Sequence, residues 1–328
     1  MHLLVITDNP DRASFRCRLG TYLDPLRRRG IDSTVVRLPK RLLGHHSVFA
    51  LARRSDAVLL QRKLLTAWDG FWLHRYSKRL IYDFDDAIMY GDGKPERDSR
   101  IRLGRFGRSA ALSYLVIAGN EYLAEQARRH NTNVHVVPTG LDVGAYPAKP
   151  PPSDGGLVRL VWIGSRSTLP YLQEVRPALE EVGRRFPNVV LRLICDEFFD
   201  LASMRVEKRP WSRDTEAADL SVGDIGLAPL PDNRFTRGKC GFKILQCQAA
   251  GLPVVASPVG VNAQYVQDGV TGFLASDTAQ WVDRLAALIE NPKLRASLGR
   301  AGRRAVEAFD VRVIGTSFCR LIVECLRP

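Results

Sequence analysis

The chain has 328 residues, 45% of them hydrophobic and 25% charged, which is an ordinary composition for a globular protein. No run of about 18 apolar residues occurs, so the sequence excludes a membrane-spanning helix, and the length favours two domains over a single core. The formal net charge is +13, and residues 1–150 hold most of it, with 25 Lys and Arg against 15 Asp and Glu.

The uneven charge has two interpretations of equal weight. A basic first half fits an anionic partner, such as a phosphorylated acceptor, an acidic membrane surface or a nucleic acid. It also fits a solvated surface rich in arginine. The six cysteines form no Cys-x-x-Cys pair or zinc spacing, so we expect reduced thiols in a cytoplasmic protein. The apolar start of the chain ends at Asp8 and lacks a basic leading segment, so we expect a first strand there rather than a signal peptide.

Short apolar segments alternate with helical segments through the first half of the chain. The predicted strands, which are rich in β-branched residues as buried parallel strands are, are Leu3–Thr7, Ser33–Arg37, Ala57–Gln61, Leu80–Asp83, Tyr114–Ala118 and Val134–Val137. We predict a helix over Arg16–Arg29 that ends at Gly30, and a second over Glu121–Arg129 with Asn120 as its N-cap.

Four prolines and two glycines between Tyr146 and Gly156 then predict a linker over 148–156. After this linker the alternation restarts. The predicted elements of the second half are strands Val158–Ile163, Val189–Ile194, Ile225–Ala228 and Pro253–Ala256, and helices Tyr171–Phe186, Phe242–Ala250, Thr278–Glu290 and Leu294–Phe309. A restarted alternation predicts two α/β domains.

Basic residues crowd the predicted start of the helix that ends near Ala250. Lys239, Lys243 and Gln246 are spaced four and three residues apart and would line one helix face. Cations oppose the dipole at a helix N-terminus, unless an anion binds the lysines and the free backbone N–H groups together. A diphosphate near the lysines and a ribose near Gln246 would fit, and a solvated basic helix end is the equal alternative.

The segments around this helix resemble glycosyltransferase family 4, a retaining family with the GT-B fold. The similar segments, densest from Asp224 to Leu274, are Val137–Asp142, Asp224–Pro231, Gly238–Gly251, Leu252–Asn262 and Gly269–Leu274. The resemblance implies an α/β protein of two Rossmann-like domains that face each other across a cleft. It implies an acceptor-side domain over 1–147, completed by a helix over 311–328, and a donor domain over 157–310.

The resemblance also implies roles for individual residues. The family commonly carries two glutamates eight positions apart on the donor helix, where this chain has Gly238 and Gln246. Gln246 keeps the capacity to bind ribose, whereas Gly238 has no side chain for the sugar. The other residues implied for donor binding are Gly164, Ser165, Gly241, Phe242 and Gly260, and Trp211 falls where the family binds the base, although a packing tryptophan fits it somewhat better. Arg166, with Lys239 and Lys243, would neutralise the departing diphosphate.

Three carboxylates follow one another closely at the end of a first-half strand, at Asp83, Asp85 and Asp86. Asp85 and Asp86 are candidates for acceptor activation, with Asp83 and Arg16 on the acceptor side. The alternatives are turn formation at the strand end for the aspartates, and a surface helix position for Arg16. The stretch also matches the short Asp-x-Asp metal motif of the GT-A fold, which the GT-B resemblance argues against.

The residues and the resemblance together predict a glycosyltransferase that moves a sugar from a nucleoside diphosphate to an acceptor hydroxyl. The resemblance alone implies that the transfer is retaining and needs no cofactor or metal. The acceptor is anionic or lipid-linked in one interpretation, and Arg100–Arg108 either lies on the inner face of a membrane or is a solvated helix face. A catalytically silent sugar-nucleotide binder is the first alternative. A nucleic-acid-binding module is less favoured because no recognition motif occurs, so we expect no nucleic acid partner.

Overall fold

The computed structural model of the protein describes residues 1–39, 44–91, 93, 95–147 and 156–327. The predicted linker 148–156 lies outside the described residues except for Gly156. The strands of the first half are β1 His2–Thr7, β2 Asp32–Arg37, β3 Ala57–Gln61, β4 Leu80–Phe84, β5 Leu115–Ala118 and β6 Val134–Val136. Its helices are α1 Ala13–Arg16, α2 Leu23–Arg27, α3 His45–Arg54, α4 Ala67–Tyr76, α5 Arg100–Ala111 and α6 Glu121–Arg128.

The second half repeats the alternation. Its strands are β7 Val158–Ile163, β8 Val189–Cys195, β9 Arg205–Pro210, β10 Ile225–Ala228, β11 Val254–Ala256 and β12 Gly272–Leu274. Its helices are α7 Leu169–Glu174, α8 Arg176–Arg185, α9 Glu216–Ser221, α10 Phe242–Ala249, α11 Asn262–Tyr265, α12 Thr278–Glu290, α13 Pro292–Ala305 and α14 Val311–Leu326. Short 3-10 turns lie at Gly20–Tyr22, Val143–Ala145, Arg166–Thr168, Thr236–Gly238 and Val306–Phe309.

The chain divides into two compact units. The first unit contains Met1–Gly140, Asn233–Cys240 and Val311–Pro328, and the second contains Leu141–Asp232 and Gly241–Asp310. Each unit has a parallel six-stranded sheet, in the order β2-β1-β3-β4-β5-β6 in the first and β12-β11-β10-β7-β8-β9 in the second. These two sheets with their helices confirm the predicted α/β class.

Alternate residues of each strand enter different cores. In the first unit Leu4, Val58 and Tyr82 pack with helices α3, α5 and α6 on one face of the sheet. Leu3 and Ile81 pack with α14 on the other face. The second sheet is covered on both faces in the same way. Burial on both faces explains why these strands have near-continuous apolar sequences.

Strand order in each sheet reverses at one place, where a ligand crevice is expected at the carboxyl ends of the strands. In the first unit β1 pairs with both β2 and β3, so the reversal lies where Thr7 and Gln61 end their strands. In the second unit β7 pairs with β8 and β10, so it lies where Ile163 and Ala228 end theirs. The loops that follow these four strand ends are the places to examine for function.

Several predicted elements differ from the structure. The helix predicted over Arg16–Arg29 is instead α1, a 3-10 turn and α2. Pro25 lies in the first turn of α2, where a backbone N–H would have no partner within the helix and proline is therefore tolerated. The helix predicted over Tyr171–Phe186 breaks at Val175. Pro177 cannot donate to a preceding carbonyl, so a new helix begins there. Strand β9 was not predicted, because this edge strand is charged and largely exposed.

Candidate functional site

The loop after β7 and the start of α10 bring two predicted donor residues of the second unit together. The Lys243 ammonium donates to the Thr168 hydroxyl at 3.0 Å and lies 4.4 Å from the centre of the Trp162 ring. Thr168 also closes a capping box with Ser165 around the 3-10 turn Arg166–Thr168. Lys243 therefore lies at a helix N-terminus beside the loop at the sheet reversal, which is the arrangement that binds phosphate groups.

Gly164 is the residue that lets this loop pass over Trp162. A Cβ at Gly164 would lie 2.3 Å from the Trp162 Cη2 atom and 2.8 Å from the Thr168 Oγ1 atom. Both neighbours contact Lys243, and Trp162 is fully buried, so its ring has no room to move away. The predicted donor residues Gly164 and Ser165 thus shape the loop that holds Lys243.

Helix α10 begins at Phe242, as predicted, so the basic residues before Phe242 lie outside the helix. Gly241 is its N-cap and has a left-handed backbone with φ of 64°. A Cβ at Gly241 would lie 2.8 Å from the Tyr265 ring. This residue stops the helix from extending backwards, so the prediction that Lys239 shares a helix face with Lys243 and Gln246 is wrong. Lys239 has an extended backbone and belongs to the first unit.

Gln246 lies in a hydrogen-bonded network that sequence reasoning missed. Its side-chain amide donates to the Tyr146 hydroxyl and to the Glu216 carboxylate, both at 3.3 Å. The Trp211 indole N–H donates to the other Glu216 oxygen at 2.8 Å. Glu216 therefore links the two residues that the resemblance assigns to ribose and base, and the half-exposed Trp211 ring is fixed in place by it.

The remaining donor-side predictions lie around this core. Phe242 is half-buried at the start of α10, and Gly260 has φ of 55° in the turn between β11 and α11. The Arg166 side chain is 79% exposed and pairs with Glu197 at 3.0 Å, while its backbone N–H donates to Asp196. The backbone bond lowers the pKa of Asp196. Arg166 thus lies on the loop that holds Lys243, and its charge is paired with Glu197.

In the first unit, two of the predicted aspartates form a cluster with two cations. Arg62 contacts Asp85 at 3.3 Å and Asp86 at 2.7 Å. The Lys239 ammonium contacts the other Asp86 oxygen at 3.2 Å. Asp86 thus bridges Arg62 and Lys239, so the carboxylates have the partners that such close acidic groups require. Burial raises the pKa of Asp85 to about 6, with Asp86 adding to the rise and Arg62 opposing it.

Arg62 was not predicted, although its position carries a signal. It directly follows β3, at the sheet reversal of the first unit, and its φ of 55° is the one positive value at a non-glycine residue in the described ranges. Such backbone strain is often found at functional sites. Arg62 also lines a cavity of about 60 Å³ with Thr7, Asp8, Asn9, Arg12, Ser14 and Gln61.

Asp83 does not join this cluster. Its carboxylate accepts from Arg18 Nε at 3.1 Å and from Nη2 at 2.8 Å, and Arg18 Nη1 also donates to the Val137 carbonyl. Both side chains are fully buried. Asp83 is therefore engaged in a buried ion pair, and its carboxylate has no exposed surface to offer an acceptor. Arg16, the other acceptor-side prediction, is half-buried at the end of α1 and bonds back to the Asp11 carbonyl.

Gly238 is fixed by packing within the first unit. A Cβ there would lie 2.7 Å from the Ala87 Cβ and 2.9 Å from the Leu123 side chain. Asn120, the N-cap of α6, also donates to the Gly238 carbonyl at 3.2 Å. The glutamate common in the resembling family could not be accommodated at this position without rearrangement.

Within the described ranges, no group of three or more His, Cys, Asp or Glu side chains is placed to hold a metal ion. The absence of a metal or cofactor stays a prediction. None of the described helices is both long enough and apolar enough to cross a bilayer.

Comparison with known proteins finds glycosyltransferases that are similar to parts of this chain. Residues 157–291 match a family model described as Glycosyl transferases group 1. Phosphatidyl-myo-inositol mannosyltransferase of Mycobacterium leprae is 36% identical over 109 residues, which cover 32% of this chain and 28% of that protein. D-inositol 3-phosphate glycosyltransferase of Frankia alni is 42% identical over 251 residues, which cover 67% of this chain and 60% of that protein. The chain thus spans less than two thirds of the length of either relative.

Solved structures match over almost the whole chain. Anabaena HepE in complex with UDP and glucose has a TM-score of 0.75 at 19% identity, covering 99% of this chain and all of that one. Sucrose-phosphate synthase from Thermosynechococcus elongatus has a TM-score of 0.78 at 14% identity, covering 98% of each chain. This protein therefore has the two-domain α/β fold of these structures.

Proposed function

We propose that the protein is a retaining glycosyltransferase, which transfers a sugar from a nucleoside diphosphate to an acceptor hydroxyl. The observation that carries the proposal is the Lys243 ammonium, held by Thr168 and Trp162 at the N-terminus of α10. The match of residues 157–291 to Glycosyl transferases group 1 supports it, as does the presence of UDP and glucose in the Anabaena structure of the same fold.

The hard step in such a transfer is the departure of the nucleoside diphosphate. A fixed cation and the N–H groups of a helix N-terminus stabilise the charge that develops on the leaving phosphate. We assign this role to Lys243 and the start of α10. We assign Trp211 and Gln246 to the nucleoside, since Glu216 holds both in one network. Retention would follow from attack on the same face of the sugar, assisted by the leaving phosphate.

For the acceptor we propose the cluster of the first unit. Burial raises the pKa of Asp85 to about 6, which suits proton exchange with a hydroxyl, and Asp86 and Arg62 would orient it. We propose an acceptor of the cell envelope, either a polysaccharide or a glycolipid, or a natural product, and a cytoplasmic location at the inner face of the membrane. Similarity to phosphatidyl-myo-inositol mannosyltransferase, a relative named for a lipid, supports the glycolipid alternative.

The first experiment is a thermal-shift screen of the full chain against UDP, GDP, dTDP and CDP sugars. A donor present at 100 times its Kd adds about 2.7 kcal/mol to the unfolding free energy, which is readily measured. No stabilisation by any of these donors would contradict the proposal.

The second experiment is transfer by Lys243→Ala, with Lys293→Ala as the control for an exposed lysine of the same unit. Loss of a charge-assisted hydrogen bond of about 1.5–3 kcal/mol predicts a rate lower by roughly 10- to 100-fold. Circular dichroism should stay unchanged. Near-normal turnover of Lys243→Ala would contradict the assignment of Lys243 to the leaving phosphate.

Gln246→Ala should mainly weaken donor binding, and an unchanged donor affinity would count against the assignment of Gln246 to the nucleoside.

One observation favours a second candidate, a sugar-nucleotide binder without catalysis. Gly238 stands where the resembling family has a sugar-contacting glutamate, and its packing leaves no room for a side chain. Slow hydrolysis of the donor in the absence of acceptor separates the two candidates. An enzyme hydrolyses the donor and loses this activity in Lys243→Ala, whereas a binder releases it intact.

A further inference from the structure

Helix α4 exposes large aromatic side chains on the face that points away from the core. Trp68 is 50% exposed and Phe71 is 61% exposed, while Asp69, Gly70 and Leu73 form the buried face. A surface helix normally turns its apolar side chains to the core and its polar ones to water. Helix α4 therefore has a second apolar surface, which folding of the first unit does not explain.

The exposed rings are part of a packed ridge. Trp72 contacts Trp68 at 5.5 Å and Phe71 at 5.1 Å between ring centres, both edge-on, and stacks on Tyr76 at 5.4 Å. Each pair has the offset or edge-to-face geometry that aromatic rings prefer. The ridge is therefore preorganised and would lose little side-chain entropy when another apolar surface covers it.

Helix α3 lies on one side of the ridge and carries an exposed arginine there. Helix α3 packs on α4 through a hydrogen bond of 2.8 Å between His45 and Asp69, and through Phe49 against Tyr76. Arg53 follows Phe49 by four residues, so it lies on the same side of α3. Arg53 is exposed at the end of that helix.

The helix on the other side repeats this arrangement. Gly70 of α4 meets α5 closely, since a Cβ there would lie 2.9 Å from the Arg108 side chain and 3.0 Å from Leu112. Arg105 and Ile101 precede Arg108 by three and seven residues and lie on the same side of α5. Both are exposed, Ile101 by 68%.

The exposed charges of the three helices are positive. Helices α3, α4 and α5 carry two, one and four arginines, and their one acidic residue is Asp69. Asp69 is buried and bonded to Thr66 and His45. The acidic residues that precede α5, Glu96 and Asp98, pair with Arg234. The exposed arginines beside the ridge thus face solvent without an acidic side chain of these helices among them.

We propose that this surface, the aromatic face of α4 with the exposed arginines of α3, α4 and α5, binds an anionic lipid bilayer. Trp and Phe favour the boundary between headgroups and acyl chains, and arginines bind the phosphates of anionic lipids. A second copy of the chain fits less well, because it would bring two basic surfaces together. The inference rests on the membrane location proposed above and names the surface responsible. Its test is separate from the test of transfer, since binding is measured without a sugar nucleotide.

The test is flotation of the full chain with two kinds of vesicle, phosphatidylcholine alone and phosphatidylcholine with phosphatidylglycerol. Only the anionic vesicles should carry the protein, and added salt should weaken the binding. In Trp68→Ser/Phe71→Ser the affinity should fall at least about tenfold, because half-exposed aromatic rings no longer enter the interface. Arg53→Gln and Arg105→Gln should each lower it roughly fivefold.

Val313→Ser is the matched control, since Val313 is 53% exposed on α14 of the same unit. It should bind vesicles as the unaltered protein does, and all variants should melt at similar temperatures. Equal binding to both vesicle types would overturn the proposal, and so would full binding by Trp68→Ser/Phe71→Ser. It would also be overturned by self-association that depends on Trp68 and Phe71 in sedimentation velocity, without vesicle binding.

Discussion

Replacing Asp83 by alanine should destabilise the first unit strongly, because Asp83 is the partner of a buried arginine. Arg18 is 1% exposed and makes its charge-assisted bonds to the Asp83 carboxylate at 2.8–3.2 Å. In Asp83→Ala the guanidinium keeps its bond to the Val137 carbonyl but loses its counter-charge. Removing one partner of a buried ion pair costs about 3–5 kcal/mol, since the remaining charge stays desolvated.

The assay is urea unfolding followed by circular dichroism, with Asp32→Ala as the control for an exposed aspartate of the same unit. Asp32→Ala should stay within about 0.5 kcal/mol of the original protein. The double variant Arg18→Met/Asp83→Leu should be much more stable than Asp83→Ala, because apolar residues of similar volume often replace a buried pair at little cost. If Asp83→Ala unfolds as the original protein does but loses transfer, Asp83 acts on the acceptor, and the reasoning from burial is wrong.

Three further changes test the site more locally. Glu216→Ala should lower the unfolding free energy by about 1–3 kcal/mol, since it takes an acceptor from buried Gln246; an unchanged melting temperature would contradict the network. Burial raises the pKa of Asp85 to about 6, whereas the ordinary pKa of aspartate is about 4. Between these two pH values the unfolding free energy of the original protein should therefore fall relative to that of Asp85→Asn. Parallel curves of unfolding free energy against pH would count against this. Gly164→Ala should cost about 1–3 kcal/mol by pressing on Trp162 and should weaken donor binding, which calorimetry would detect; unchanged stability and donor affinity would show that the loop tolerates a Cβ.

The strands could be predicted closely because burial on both faces leaves a strong sequence pattern. Ala57–Gln61, Val158–Ile163 and Ile225–Ala228 agree with the structure at both ends. Edge strand β9 could not be found in this way, since its Arg205–Pro210 sequence is charged and largely exposed. The start of α10 at Phe242 was predicted correctly. The position of Lys239 was not, because a pattern of basic residues does not report the left-handed backbone at Gly241 that separates Lys239 from the helix.

The site was predicted in parts, and the links between the parts were missed. Trp211 and Gln246 were both predicted as donor residues. Glu216, which joins them, matches no local motif and reaches Gln246 from 30 residues away along the chain. Arg62 could have been found from its position, since it directly follows a buried strand at a sheet reversal. The buried pair of Arg18 and Asp83 could not, because 65 residues separate its members.

The structure also indicates that the three predicted cations would contribute unequally to binding a diphosphate. Lys239 pairs with Asp86 in a half-buried cluster of the first unit. If Lys239 moved to a diphosphate, the Asp86 carboxylate would lose one of its two cationic partners. Arg166 pairs with Glu197 at the surface, where an ion pair is worth about 0–1 kcal/mol and exchanges readily for a phosphate. Lys243 contacts a hydroxyl and an aromatic ring and already lies at a helix N-terminus. The proposed diphosphate should therefore depend most on Lys243, next on Arg166 and least on Lys239, although the three were equivalent in the sequence.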